Sequence, residues 1–357
     1  MSSARIATLT VDAALARRGE PVVQRERDST ALDLAMLQLR PLLTPDVTDL
    51  CINRPGEAFL ETREGWTRER IAFADFDWCR NFAKLVGNAT RQRVDEQSPL
   101  LSAALPSGER VQIVLPPAVP LDVVAITIRR PADTVWSLRE LASRGLFRAT
   151  KRAASGASEN QVALQALLGR GSYEEFMRVA VREKLNILCS GPTGSGKTTL
   201  SKALIREIPR HERLIAIEDA AELNLDSHPN HIRLLYSKND QGLARVSPRQ
   251  LIESCLRMRP DRILLAELRG EEALDYIRNV NSGHPGSITS VHASSAALAF
   301  EQLVLLVQQS PGGRELSRQD IKELLYRLID VVVQFGVQDH ERVITEIWYE
   351  PQRKLGG

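Results

Sequence analysis

Leu185-Asn186-Ile187-Leu188-Cys189-Ser190 runs into Gly191-Pro192-Thr193-Gly194-Ser195-Gly196-Lys197-Thr198-Thr199 and on into Leu200-Ser201-Lys202-Ala203-Leu204-Ile205-Arg206-Glu207-Ile208. An apolar strand, a glycine-rich turn and a helix in that order satisfy GxxxxGK[ST] in the setting the pattern requires. The glycines let the backbone wrap phosphates so that its N–H groups point inward, and the helix N-terminus adds roughly half a positive charge. Lys197 is expected to bridge the β- and γ-phosphates of a nucleoside triphosphate, and the Thr198 hydroxyl to ligate Mg²⁺. The whole run from Gly191 to Thr199 is the expected cradle.

Working outward, buried-looking strands (LNILCS, RLIAI, RILLA, SITSV) alternate with helical segments from about Gln161 to the end, the signature of a parallel sheet with crossover helices. Ligands in such sheets bind beyond the carboxyl ends of the strands. Polar residues stand at those ends. RLIAI leads to Glu218-Asp219 and then Glu222, which either hold Mg²⁺ or its water shell or cap an acidic turn. RILLA leads to Glu267, placed to orient the water attacking the γ-phosphate or to pair with Arg269 or Arg262. SITSV leads to His292, a γ-phosphate sensor or a satisfied core histidine.

Upstream, VTDLCINRPGEAFLE reads as two strands around Asn53-Arg54-Pro55-Gly56, RVQIVLPP and VVAITI as later strands, and FDWCRNFAKLVGNAT as a helix. The expected organisation is a tail over residues 1–30, a smaller α+β domain over 31–130, a linker over 131–170 and the P-loop domain over 171–357. The linker's basic, small-residue part, RATKRAASGASEN, has no apolar face, as in a solvated connection, though its cations also suit anionic lipid.

Length and composition agree with this picture. The 357 residues exceed the usual single domain, and 43% hydrophobic with 26% charged residues excludes wholesale disorder. Forty-seven basic against 45 acidic residues leave +2, without the one-signed surplus of a general nucleic-acid binder. No apolar run is long enough to cross a bilayer, and the N-terminus has no apolar signal core. Cys51, Cys79, Cys189 and Cys255 form no CxxC pair and are expected to be reduced, packed thiols.

Together, GPTGSGKTTL, AIEDAAEL, RMRPDRILLAELRG and GHPGSITSVHA resemble, in order and spacing, the Walker A, acidic, Walker B and histidine boxes of the type II/type IV secretion traffic ATPases. NRPGE at Asn53–Glu57, SGERVQIVLPP at Ser107–Pro117 and the lack of a CxxC…CxxC insertion are similar to the type IV secretion branch. The resemblance implies a RecA-like P-loop domain behind a smaller α+β domain. It implies ATP as substrate with Mg²⁺, Glu267 as catalytic glutamate, Glu218 as acidic-box carboxylate and metal ligand directly or through water, and His292 as histidine-box residue. It also implies that Arg110 and Arg129 reach nucleotide phosphates at the domain interface, a task suited to a permanently charged fork; exposed strand charges are the alternative. Ala266 departs from the glycine common at this point of the wider superfamily and touches no catalytic group.

The implied protein is a homohexamer on the cytoplasmic side of the inner membrane. It would work with inner-membrane components of the apparatus and with protein or nucleoprotein substrates, without sequence-specific nucleic-acid binding. Hydrolysis would drive inter-domain motion about the Pro131–Gly171 linker. Two rivals remain. One is a ring ATPase that translocates nucleic acid, disfavoured by 5% aromatic content; the other is a hexamer locked, not driven, by nucleotide. Whether the N-terminal arginines serve their own P-loop or a neighbour's stays open.

Overall fold

The structure is a computed structural model that describes residues 30–131, 135–150, 158–237 and 242–354. The expected tail lies, but for Thr30, outside these residues, as does the 151–157 stretch of the basic connection.

The chain begins with α1 (Ala31–Leu39), whose first turn is closed by a reciprocal Thr30/Asp33 capping box. Then follow β1 (Asp49–Ile52), β2 (Glu57–Thr62), β3 (Gly65–Arg70), α2 (Phe76–Thr90), β4 (Leu100–Ala104), β5 (Arg110–Val114) and β6 (Ala125–Arg129). The six strands form one sheet in the order β3-β2-β1-β6-β5-β4, antiparallel throughout. In α2 the apolar spacing buries Cys79, Phe82, Ala83 and Val86, and Asp75 caps the helix. These side chains share a core with Leu50, Ile52, Ile113, Ile126 and Ile128 of the sheet.

Next come α3 (Leu138–Ser143), α4 (Glu159–Gly169) and α5 (Tyr173–Arg182). The span 131–170 reads in sequence as a linker, but its last part is α4, which buries Leu164 and Leu167 against Phe176 and Met177. The remaining elements are β7 (Ile187–Ser190), α6 (Lys197–Glu207), β8 (Leu214–Glu218), β9 (His231–Leu235), α7 (Pro248–Cys255), β10 (Arg262–Leu265), α8 (Glu272–Asn281), β11 (Ile288–Val291), α9 (Ala296–Gln309), α10 (Arg318–Leu328), β12 (Val331–Gln338) and β13 (Glu341–Trp348). Strands run β10-β8-β9 and β11-β7-β12 in parallel, with β13 antiparallel at the edge. β10 and β11 lie side by side: Ser287 Oγ donates to Ile263 O at 2.8 Å and Leu268 N to Ser290 O at 2.9 Å. The core strands are buried on both faces, so their sequences are continuous apolar runs.

A fully buried ion pair holds the strands' amino ends. Arg262 forks onto Glu212 at 2.7 and 3.1 Å and donates to Val181 O at 2.8 Å. Gly286 is required beside it: at φ 84° a Cβ would stand 2.6 Å from the guanidinium. Glu212→Gln leaves that guanidinium uncompensated in the interior, and the expected loss is about 3–5 kcal/mol. Urea denaturation measures it, and an unchanged midpoint would contradict the assignment.

The antiparallel sheet and the P-loop half meet in a buried joint. Val114, Ala118, Val119 and Ala125 enter the same apolar cluster as Leu188 and Ile215. Beside it, fully buried Arg213 donates to Asn53 Oδ1 at 2.6 Å and reaches Asn230, to which Asn53 also donates at 2.9 Å. Trp66 covers this knot, with the Arg213 and Arg259 guanidinium groups 5.7 and 5.9 Å from its ring, and Arg259 pairs with Glu61.

Candidate nucleotide-binding site

β7 ends at Ser190, and α6 begins at Lys197 with Gly196 in the left-handed region at φ 105°. No side chain caps α6, so its first N–H groups are left for an anion. Gly191 admits no side chain, since a Cβ there would lie 2.7 Å from Phe335 Cβ. Ser195 Oγ is buried beneath the loop without a hydrogen-bond partner.

The loop forms one wall of a cleft of about 450 Å³. Thr193 to Thr199 face Asp219 and Glu222 from the segment after β8, Glu267 and Arg269 from that after β10, His292 after β11, and Arg342 of β13. Lys197 curls over its own loop: Nζ donates to Gly191 O at 2.8 Å and Pro192 O at 2.9 Å and lies 3.3 Å from His292 Nδ1. Burial lowers its pKa, against the opposing pull of Glu267. His292 Nε2 is 2.8 Å from Glu267 Oε1, while Glu267 Oε2 accepts from Arg269. Arg269 also reaches Asp219 Oδ2 at 3.1 Å, and its hydrogen bond with Glu267 leads the causes that raise its pKa. Glu272 fixes this turn by accepting from the backbone N–H groups of Arg269 at 2.6 Å and Gly270 at 2.9 Å. Both readings of Glu267 thus meet: it faces the cleft and is paired with Arg269.

Glu218 and the two N-terminal arginines stand outside the cleft of their own chain. Glu218 does not line the cleft. Its side chain is fully buried, accepting from the N–H groups of Glu222 at 2.9 Å and Leu223 at 2.7 Å, with Arg233 Nε 2.7 Å away. The cause is strand alternation: Arg233 sits opposite Ala216, on the face of the β8–β9 ladder that Glu218 shares. Glu218 therefore braces the segment that carries Asp219 and Glu222 into the cleft.

Arg110 and Arg129 are also elsewhere. They are cross-strand partners on β5 and β6 and border a separate cleft of about 480 Å³ with Leu256 and Arg257, and Arg129 donates to Asp49 at 2.9 Å. Arg342, unremarked in the sequence, enters the nucleotide cleft through the C-terminal hairpin; no local motif marks it. Among the described residues no helix is long and apolar enough to cross a membrane, and all four cysteines are buried and unpaired.

Comparison with known proteins agrees with the geometry. The profile of the family described as Type II/IV secretion system protein matches residues 33–335. The Type IV secretion system protein VirB11 of Bartonella quintana is 46% identical over 322 residues, 87% of this chain and 90% of that protein. Its namesake in Brucella suis is 44% identical over 322 residues, 88% and 89% of the two chains. The crystal structure of the VirB11 ATPase from the Brucella suis type IV secretion system in complex with sulphate superposes with a TM-score of 0.86 at 42% identity, covering 91% of this chain and 99% of that one. On this breadth of match the chain belongs to the type II/IV secretion system protein family, in its type IV secretion ATPase branch.

Proposed function

We propose that this secretion ATPase cleaves ATP in the cleft between the Gly191–Thr199 loop and the segment carrying Glu267, Arg269 and His292. The observation that carries the reading is the unbroken run of contacts from Lys197 through His292 and Glu267 to Arg269 and Asp219. It joins the carboxyl ends of strands β7, β8, β10 and β11 at one point, where a γ-phosphate would lie. Lys197 exchanges the carbonyls of its own loop for phosphate oxygens. Glu267 orients the attacking water and accepts its proton, with His292 fixing the carboxylate's position. Arg269, permanently charged, stabilises negative charge on the departing phosphoryl group.

Thr198 and, across the cleft, Asp219 and Glu222 are hard oxygen donors that suit magnesium. They would hold the ion that shields the phosphate charges. Glu218, named for this role on the sequence, supports it only by holding the segment that bears Asp219 and Glu222.

A homohexamer on the cytoplasmic face of the inner membrane, passing protein or nucleoprotein substrates to the apparatus, is the assembly this reading fits. In such a ring Arg110 and Arg129 would act on a neighbouring copy's nucleotide, because they stand outside the cleft of their own chain. Calorimetric titration with a non-hydrolysable ATP analogue and magnesium is expected to show one binding event per chain. A folded sample that takes up no heat would end the proposal.

A further inference from the structure

Arg269 pairs with Glu267 and, at 3.1 Å, with Asp219. A further carboxylate of the same turn, Glu272, opens helix α8 and takes no part in those pairs. It is buried and does not line the cleft. One of its oxygens, Oε1, accepts from two consecutive backbone N–H groups, Arg269 at 2.6 Å and Gly270 at 2.9 Å. The neighbouring Glu271 is exposed, and its side chain caps nothing.

A carboxylate that reaches back three residues to an N–H resembles the acidic half of a capping box, whose ordinary task is to start a helix. Here the N–H groups it holds belong to the turn that carries the site's guanidinium. The Arg269 side chain is 46% exposed, so packing does not fix it, and an unrestrained arginine scatters over many rotamers. Its direction is therefore set from the backbone. On one side Leu268 is buried and its N–H donates to Ser290 O of β11 at 2.9 Å; on the other stands Glu272. Gly270 lets the carboxylate lie close, since a Cβ there would stand 3.1 Å from Glu272 Oε2.

We propose that Glu272 is a positioning residue for ATP cleavage. By clamping the N–H groups of Arg269 and Gly270 it aims the guanidinium across Glu267 and Asp219, and it governs turnover, not nucleotide uptake. The proposal rests on the reading of Arg269 as the cation that stabilises the departing phosphoryl group. A misplacement of about 1 Å in such a group costs on the order of a hundredfold in rate. The phosphate loop, carried between β7 and α6, is left as it is.

Steady-state phosphate release and affinity for a non-hydrolysable ATP analogue with magnesium are measured on the full chain and its variants. Glu272→Ala is expected to lower kcat about ten- to a hundredfold, with analogue affinity within about twofold. Glu272→Gln keeps an oxygen where Oε1 stands and is expected to recover most of that loss. Glu271→Ala, which removes a like charge from the same helix start, stays at the parent rate. Arg269→Ala is expected to be about a hundredfold slower or more, and adding Glu272→Ala to it costs no further kcat, because the two act as one unit. Additive losses overturn the proposal, and so does a glutamine variant as slow as the alanine one. Equal loss of affinity and turnover in Glu272→Ala also overturns it, assigning Glu272 to the fold alone. Arg269→Ala at the parent rate would remove the role of Arg269 and this inference with it, whereas a slow Arg269→Ala beside Glu272→Ala at the parent rate removes the inference alone.

Discussion

Replacing Lys197 by alanine is expected to lower ATP turnover by about a thousandfold or more, measured as steady-state phosphate release. Lys197 Nζ is the ammonium nearest the loop's mouth, with two loop carbonyls and His292 around it. When a triphosphate enters, those carbonyls are exchanged for phosphate oxygens, and charge neutralisation is most of what phosphoryl transfer asks of a protein. The fold should survive, because Gly191 O keeps His292 Nδ1 3.2 Å away and Pro192 is exposed. A variant that hydrolyses ATP at the parent rate would refute the cradle.

Glu267→Gln is expected to keep nucleotide affinity and lose turnover by roughly 10²–10⁴-fold, the range of general-base catalysis. The amide preserves shape and can still meet Arg269 and His292, but it cannot take a proton from water. Binding and hydrolysis separate only if Glu267 acts on the water. Comparing analogue affinity with kcat tests this, and parallel loss of both would assign Glu267 to holding Arg269 and Asp219 in place.

The phosphate loop was fully legible because its glycines encode a backbone path, and the central strands because burial on both faces leaves an unmistakable apolar run. Helix α2 was legible down to its ends, since a regular apolar face is a local signal. Other features were settled at long range. Which of two adjacent carboxylates faces the cleft was decided by Arg233, on the neighbouring strand, which draws Glu218 into the interior and leaves Asp219 outside. Arg110 and Arg129 came together through the pairing of β5 with β6 and the approach of Leu256 and Arg257, which no motif records. Helix α4 looked like connection because Leu164 and Leu167 find the partners of their core, Phe176 and Met177 among them, beyond the helix itself. β3 was hard to see for the opposite reason: as a mostly exposed edge strand it has little apolar alternation to read.

Arg213 fastens Asn53 to Asn230 in a buried seam, with Trp66 closed over it. Prising that seam open would break those hydrogen bonds and lift Trp66 off the guanidinium. In the ring proposed above this seam would tie each polypeptide's strand sheet to its own P-loop half, and there would be further give where one copy's strand sheet meets the next copy's fuel site. The stroke would then be handed around the circle from member to member.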